Sequence, residues 1–417
     1  MTFSNVRREI AGISISELAN QFGTPLYVYD AATILARVEE LRQFDAIRFA
    51  QKACSNISIL KLLRKAGVVV DAVSAGEIHR ALKAGFTTTG EPAPVQYCAD
   101  IFDRQALQMV VDLNIPVNCG SPDMIDQLGE VAPGRNITLR INPGFGHGHS
   151  QKTNTGGEQS KHGIWHEDLA DCMQRAERHG LKITGLHMHI GSGTDFEHLA
   201  QVCKAMENTA LKVGSSIQTI SAGGGLPTPY RSSDNRIDID CYFKLWDEVR
   251  QRLQETFQHP VSLEIEPGRY LSAEAGFLIS EIRAIKTMGS NTFYLLDAGF
   301  NNLARPILYG AYHPMSIMPR DGNENRPLQE VIVGGPLCES GDIFTQEEGG
   351  FVCRRQLPAA QIGDYLIIEC AGAYGSVMGS NYNSKPLAGE VLIRDGKASL
   401  IRRTQTLDEI LAQEVLI

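Results

Sequence analysis

The sequence contains no apolar stretch long enough to cross a bilayer, and its start, MTFSNVRREIAGISISEL, lacks an apolar core of signal-peptide length. It has no Lys/Arg run, and its formal net charge is −9. A nucleic-acid surface needs a basic patch to meet phosphates, so neither nucleic acid nor membrane is expected as a partner. The nine cysteines are irregularly spaced, without a C-x-x-C pair or a zinc-ligand pattern. This argues against a disulfide framework and reads as reduced thiols in a cytoplasmic protein with no bound metal. Internal repeats and low-complexity linkers are missing as well. What remains is ordinary for a soluble protein, at 43% hydrophobic and 21% charged residues, and a length of 417 residues suits two domains. Its 40 glycines gather in short runs, which points to close backbone approach rather than disorder.

Between about residue 45 and residue 270, short apolar runs alternate with helical patterns. The runs are IRFAQKAC (47–54), VVVDAVS (68–74), VQYCAD (95–100), IPVNCGS (115–121), NITLRIN (136–142), ITGLHMHIG (183–191), TISAGGG (219–225) and VSLEIEPG (261–268). Helical segments such as AGEIHRALKAGF, RQALQMVVDL and CYFKLWDEVRQRLQETF lie between them. Eight β-α units fit a closed (β/α)8 barrel, with an open doubly wound sheet as the alternative. After residue 275 the texture becomes strand after strand, with Asp395-Gly396 as a hairpin signal. The expected organisation is an α/β barrel over residues 26–275, with a mainly antiparallel β domain from residues 1–25 and 276–417. The polar segment 144–163 reads as a long functional loop after the fifth strand, with His147 and His149 as loop residues.

In a β/α barrel the chemistry sits at the C-terminal strand ends, and polar residues interrupt the apolar runs there: Lys52, Asp71, Asn142, His187, His189, Gly223 to Gly225 and Glu266. Lys52 is either a solvated strand end or an amine whose charge burial disfavours, as a Schiff-base lysine requires. Asp71 could pair with it or simply sit in a loop. SAGGGL (221–226) offers backbone N–H groups to an anion such as phosphate, or is a plain tight turn; it is neither a Walker loop nor a dinucleotide fingerprint. Glu266 either holds a pyridine nitrogen protonated or makes an ordinary salt bridge to Arg269. His187 and His189 share one strand face, and the spacing offers no carboxylate or cysteine to complete a metal site with them.

HIGSG, SAGGGL, EPGRY, GGPLCESGD and AGAYG, in this order, resemble the alanine-racemase-like (fold type III) pyridoxal-phosphate decarboxylases. Among these the chain is most similar to bacterial diaminopimelate decarboxylases, from PLYVYD (25–30) to GSNYNSKP (379–386). The resemblance implies pyridoxal 5'-phosphate as cofactor, Lys52 as its aldehyde-holding amine and His189 as the residue stacked on its ring. It implies a phosphate cup of Ser192, Gly225 and the backbone around Gly268 and Arg269, with the Tyr374 hydroxyl added and Gly224 as a further cofactor contact. Asp71 and Glu266 complete the cofactor site, Glu266 facing the pyridine nitrogen. Arg269, Arg305 and Tyr309 match residues that grip the retained carboxylate of the substrate. Cys338 and Glu339 match a pair supplied by the other subunit of a homodimer, the thiol as proton donor to the carbanion and the glutamate reading the distal amino group. One departure is Ser384-Lys385-Pro386, where many relatives have Ser-Arg-Pro; lysine keeps the charge but loses the bidentate fork.

The implied reaction is decarboxylation of meso-2,6-diaminopimelate to L-lysine and CO2. Its competitors are decarboxylation of another basic amino acid (D-lysine, ornithine or arginine), racemisation, and a non-catalytic cofactor-carrying protein. Racemisation needs a second base where this chain offers Cys338. A cofactor carrier of the single-barrel kind would not need a β domain of some 140 residues.

Overall fold

In the computed structural model, residues 3–146, 156–189 and 195–417 are described. The chain divides into two compact units: Leu35–Pro227 with Ile237–Tyr270, and Met1–Ile34 with Thr228–Arg236 and Leu271–Ile417.

The first unit is a closed parallel barrel. Its strands are Ala46–Ala50, Val69–Ala72, Val95–Ala99, Val117–Cys119, Asn136–Asn142, Lys182–His187, Thr219–Ser221 and Ser262–Ile265. Each pairs in parallel with the next, and Glu264↔Ala46 and Ile265↔Ile47 close the ring. A short strand, Ile164–Trp165, pairs with the end of Asn136–Asn142. All eight runs read from the sequence are barrel strands. Several β-to-α turns end on a polar cap, which satisfies otherwise orphaned helix N–H groups. Asn56 Oδ1 accepts from Ser58 N–H at 2.9 Å, Ser74 Oγ from Glu77 N–H at 3.2 Å, and Asp103 Oδ1 from Ala106 N–H at 2.7 Å.

Strand alternation separates two kinds of side chain. Phe49, Val70, Tyr97, Leu139, Leu186, Leu263 and Ile265 are buried, and the residues beside them are buried and polar: Arg48, Asp71, Gln96, Arg140, His187, Glu264 and Glu266. The barrel interior is thus charged, and Arg48 and Glu264 pair directly within it. Arg48 donates from Nε and Nη2 to both Glu264 oxygens at 3.1 and 3.0 Å, and from Nη1 to Ala93 O at 2.9 Å. Such a fork–fork pair holds two strands together through the barrel floor.

In the second unit the long strand Gly276–Met288 pairs antiparallel with Asn291–Leu296, Tyr365–Ile368 and Leu26–Asp30. Leu26–Asp30 also pairs in parallel with Gly389–Arg394, which turns back on Lys397–Arg402. Asp395 and Gly396 occupy that turn with φ of 51° and 72°, the left-handed pair a two-residue hairpin requires. Ile10, Ile15, Leu18, Leu26, Val28, Ile279, Ile367, Val391 and Ile393 form its apolar core. Leu26–Asp30 was expected to lead the barrel domain and is instead a strand of this sheet. Leu26 to Tyr29 are all buried, and a run buried on both faces carries no sign of which sheet it joins. Among the described residues no helix is long and apolar enough to cross a membrane, and all nine cysteines are unpaired.

Candidate active site

In the barrel unit the strand Ala46–Ala50 ends in a single 3-10 turn, Gln51–Ala53, that carries Lys52. The turn is pinned from two sides. Gln51 Nε2 donates to Asp71 O at 2.9 Å, and Ala50 N–H donates to Pro267 O at 3.1 Å. Gly268 comes so close that a Cβ there would lie 3.2 Å from the Ala53 Cβ. Lys52 and the Glu266–Gly268 segment therefore share one rim. Of the two readings the sequence left open, a solvated strand end and a buried amine, Lys52 meets the first: it is exposed, because its turn stands at the open end of the strands.

Glu266 is buried, and its Oε2 lies 3.0 Å from His187 Nε2 rather than against Arg269, which opens a short helix, Arg269–Ser272. Its Oε1 accepts from Ser221 Oγ at 3.4 Å. Burial pushes this carboxyl up, but His187, through its charge and its hydrogen bond, and then Arg48 outweigh it and hold the group at about 2, ionised at neutral pH. Asp71 behaves oppositely: burial, with Glu266 beside it, pushes its carboxyl well above the ordinary range. Its Oδ1 is buried without a hydrogen-bond partner among the described residues. The interior thus holds two neighbouring carboxyls shifted in opposite directions.

His189 is fixed by the glycine turn. Gly224 N–H donates to His189 Nδ1 at 2.9 Å, so the ring carries its proton on Nε2. Burial, then Arg140, Lys52 and His187, lowers its pKa well below the usual imidazole value, which keeps the ring neutral. The turn needs its glycines. A Cβ on Gly224 would meet Glu266 O at 2.5 Å, and one on Gly223, at φ +63°, would meet Met188 O at 2.4 Å. Gly224, expected to offer its N–H to a phosphate, instead spends it on orienting His189; Gly225, at φ +94°, completes the turn. Ser192 lies outside the described residues, as do His147 and His149.

Although sequence spacing offered His187 no third ligand, folding brings Cys98, His187 and Glu266 within 4.8 Å of one another. Burial, with Asp71 and Glu266 nearby, pushes the Cys98 thiol well up, so it is not a thiolate, and it accepts from Asn118 Nδ2 at 3.2 Å. His187 and Cys98 thus form the immediate surroundings of Glu266, with His187 Nε2 3.0 Å from its Oε2.

In the second unit Arg305 and Tyr309 open and close the helix Arg305–Tyr309, four residues apart and so on one face. Arg305 is buried, not the surface charge that a lone arginine in a loop would be. Its Nη1 donates to Tyr230 Oη at 3.0 Å and to His313 Nε2 at 2.9 Å. Neither Tyr230 nor His313 carried a sequence signal, since each is a single residue far from its partners along the chain. Cys338 is exposed rather than one more buried thiol, and it follows a turn organised by Asp342, which accepts from Leu337 N–H at 2.8 Å and Phe300 N–H at 2.7 Å. Cys338 N–H donates to Asn383 Oδ1 at 2.7 Å, and Glu339 follows on the same turn. Tyr374 sits at φ +57°, a conformation that costs a non-glycine residue about 1 kcal/mol and gathers at functional sites.

Residues 32–273 match the family described as pyridoxal-dependent decarboxylase, pyridoxal binding domain. The diaminopimelate decarboxylase of Escherichia coli (strain K12) is 53% identical over 410 residues, 98% of each chain. A crystal structure of a diaminopimelate decarboxylase superposes with a TM-score of 0.93 at 54% identity, over 95% of this chain and 94% of that one. The Helicobacter pylori diaminopimelate decarboxylase complexed with L-lysine gives a TM-score of 0.81 at 30% identity, over 95% and 98% of the two chains.

Proposed function

Since the chain belongs to the pyridoxal-dependent decarboxylases, in the branch of the diaminopimelate decarboxylases, we propose that it converts meso-2,6-diaminopimelate to L-lysine and CO2, the last step of lysine biosynthesis. The observation that carries this reading is the shared rim of Lys52 and Glu266, joined through the Ala50 N–H to Pro267 O bond.

The barrel residues fit pyridoxal 5'-phosphate. An exposed lysine stands at the strand ends, a neutral imidazole offers a flat face, a glycine turn admits close approach, and a buried carboxylate faces inward. When bound, the cofactor supplies an electron sink for the charge left by departing CO2. Lys52 Nζ is the amine that holds the aldehyde. Glu266, kept ionised, retains a proton against its carboxylate at the ring nitrogen. His189 presents its ring face, and the Asp71 carboxyl, pushed up by burial and by Glu266, feels the opposing charge of the lysine. The phosphate is held by Ser192, Gly225, Gly268 and the backbone at Arg269, with Tyr374 adding its hydroxyl.

Arg269, Arg305 and Tyr309 grip the carboxylate that the reaction leaves in place, so the D-configured centre is the one that reacts. The Cys338 Sγ proton goes to the carbon that has lost CO2, and Glu339 takes the distal ammonium. Both come from the partner subunit of a homodimer. Support for that assembly is the exposure of Ile307, Leu308, Phe351, Val352 and Tyr382, large apolar residues of the unit that also exposes Cys338. Lys385 lacks the arginine fork of many relatives, and it acts as a point charge near Asp342. Nine reduced thiols accord with a cytoplasmic location.

Purified protein incubated with meso-diaminopimelate is expected to release CO2 and L-lysine in equal amounts. Turnover only of D-lysine, ornithine or arginine would refute the substrate assignment.

A further inference from the structure

The guanidinium of Arg305 is held by partners whose donor and acceptor roles are fixed by chemistry. A guanidinium only donates and a backbone carbonyl only accepts. His313 lies between the two, with Nε2 2.9 Å from Arg305 Nη1 and Nδ1 3.0 Å from Glu369 O. Nδ1 must therefore carry the proton and donate to Glu369 O, which leaves Nε2 as the acceptor for Arg305. The imidazole is a buried neutral bridge that can orient the arginine in one way only.

The clamp has a second jaw and a backing. Tyr230 Oη accepts from the same Nη1 at 3.0 Å, and its ring lies edge-on to His313 with centroids 5.4 Å apart. Tyr230 N–H and Arg231 N–H both donate to Asp234 Oδ2, at 2.9 and 2.8 Å, which fixes the segment that presents the tyrosine. Behind His313, the Glu369 carboxylate accepts from Arg7 Nε at 2.9 Å and Ser316 Oγ at 2.9 Å, so the strand end that receives Nδ1–H is itself tied down. With Nη1 committed to Tyr230 and His313, the fork left on Arg305 is its Nε/Nη2 edge, and among the described residues no partner occupies it.

We propose that His313 and Tyr230 are positioning residues that turn the Nε/Nη2 edge of Arg305 toward the substrate's retained carboxylate, so that side-on, bidentate binding there selects substrates with a second carboxylate. The inference rests on the proposed role of Arg305 in gripping that carboxylate. Losing one hydrogen bond from a charged group lowers affinity about 10- to 100-fold. A misaligned guanidinium weakens binding of the carboxylate without touching the bond that breaks.

The test uses the holoenzyme and four variants: Arg305→Ala, His313→Leu, His313→Gln and Tyr230→Phe. KM and kcat are measured with meso-diaminopimelate, and inhibition constants with L-lysine, which keeps the gripped carboxylate, and D-lysine, which lacks it. Arg305→Ala and His313→Leu are expected to raise KM and the L-lysine inhibition constant about 10- to 100-fold, with kcat changed less than about threefold and D-lysine unaffected. Tyr230→Phe removes only a hydroxyl and should move the same constants about 3- to 10-fold, and His313→Gln should restore most of the loss because its amide oxygen accepts in place of Nε2. A KM effect in Arg305→Ala with none in His313→Leu or Tyr230→Phe would overturn the positioning role and leave the proposed function standing. No effect in Arg305→Ala would overturn the carboxylate grip along with it. Equal weakening toward L-lysine and D-lysine would show a general packing defect and equally overturn the inference.

Discussion

Replacing Gly224 by alanine probes the link between the glycine turn and the cofactor face. The new methyl carbon would stand 2.5 Å from Glu266 O and 2.9 Å from His189 Cε1. Both neighbours are fixed, one as backbone and the other by its bond from Gly224 N–H. Relief requires the turn to move by roughly 1 Å, which carries an overpacking cost of about 1–3 kcal/mol. The same movement breaks the bond to His189 Nδ1, worth a further 0.5–1.5 kcal/mol or so. Expressed in the cofactor-bound state, the sum of about 1.5–4.5 kcal/mol weakens pyridoxal phosphate binding about 10- to 2000-fold. The assay is titration of dialysed apoprotein with the cofactor, followed by absorbance, with 15N NMR of His189 reporting its tautomer. Gly76→Ala is the control: it lies on the helix Ala75–Lys83, and the nearest atom to its new Cβ is Ser74 Oγ at 3.7 Å. That change should leave affinity alone and stabilise the helix by up to about 1 kcal/mol. If Gly224→Ala binds the cofactor within about threefold of the parent and keeps the His189 tautomer, the reasoning is refuted.

The charged barrel floor makes a separate prediction. Glu264→Gln strands the Arg48 guanidinium, and stability should fall by about 3–5 kcal/mol, read as a drop in the urea midpoint; a loss below about 1 kcal/mol would contradict the pairing. Asp71 and Glu266 should respond to pH in opposite directions. A carboxyl raised on folding contributes stability below its unfolded value and loses it as pH rises toward the folded value. Asp71→Asn should therefore raise the thermal midpoint near about pH 8 and change it little near about pH 4, and a fall at the higher pH would count against the raised carboxyl. Glu266 is depressed to about 2, so its contribution is present above the ordinary carboxylate range and fades as pH drops toward about 2. Glu266→Gln should accordingly destabilise the protein at neutral pH by an amount that shrinks in acid, and a pH-independent difference would argue otherwise.

The barrel was legible because strand and helix patterns alternate eight times along the chain. Eight short apolar runs between helical patterns marked the strands, and Asp71, His187 and Glu266, which interrupt those runs, marked the rim where chemistry gathers. The hairpin at Asp395-Gly396 announced itself through turn chemistry alone. Leu26–Asp30 did not, because a strand buried on both faces has no alternation to assign it to one sheet. Long-range partners were hidden for a different reason. Tyr230, His313 and Arg305 meet only after distant segments fold together, and so do Cys98, His187 and Glu266. Residue type and local spacing contain no term for such meetings. Exposure was only partly in reach: the solvated reading of Lys52 holds, whereas nothing local marked Cys338 as exposed or Arg305 as buried.

The most direct test of the account is borohydride reduction of the cofactor-loaded protein, followed by peptide mass spectrometry. Reduction fixes the aldehyde to whichever amine holds it. The added mass should fall on the peptide containing Lys52 and vanish from a Lys52→Ala variant. Attachment at any other lysine, or none at all in protein that has bound the cofactor, would contradict it.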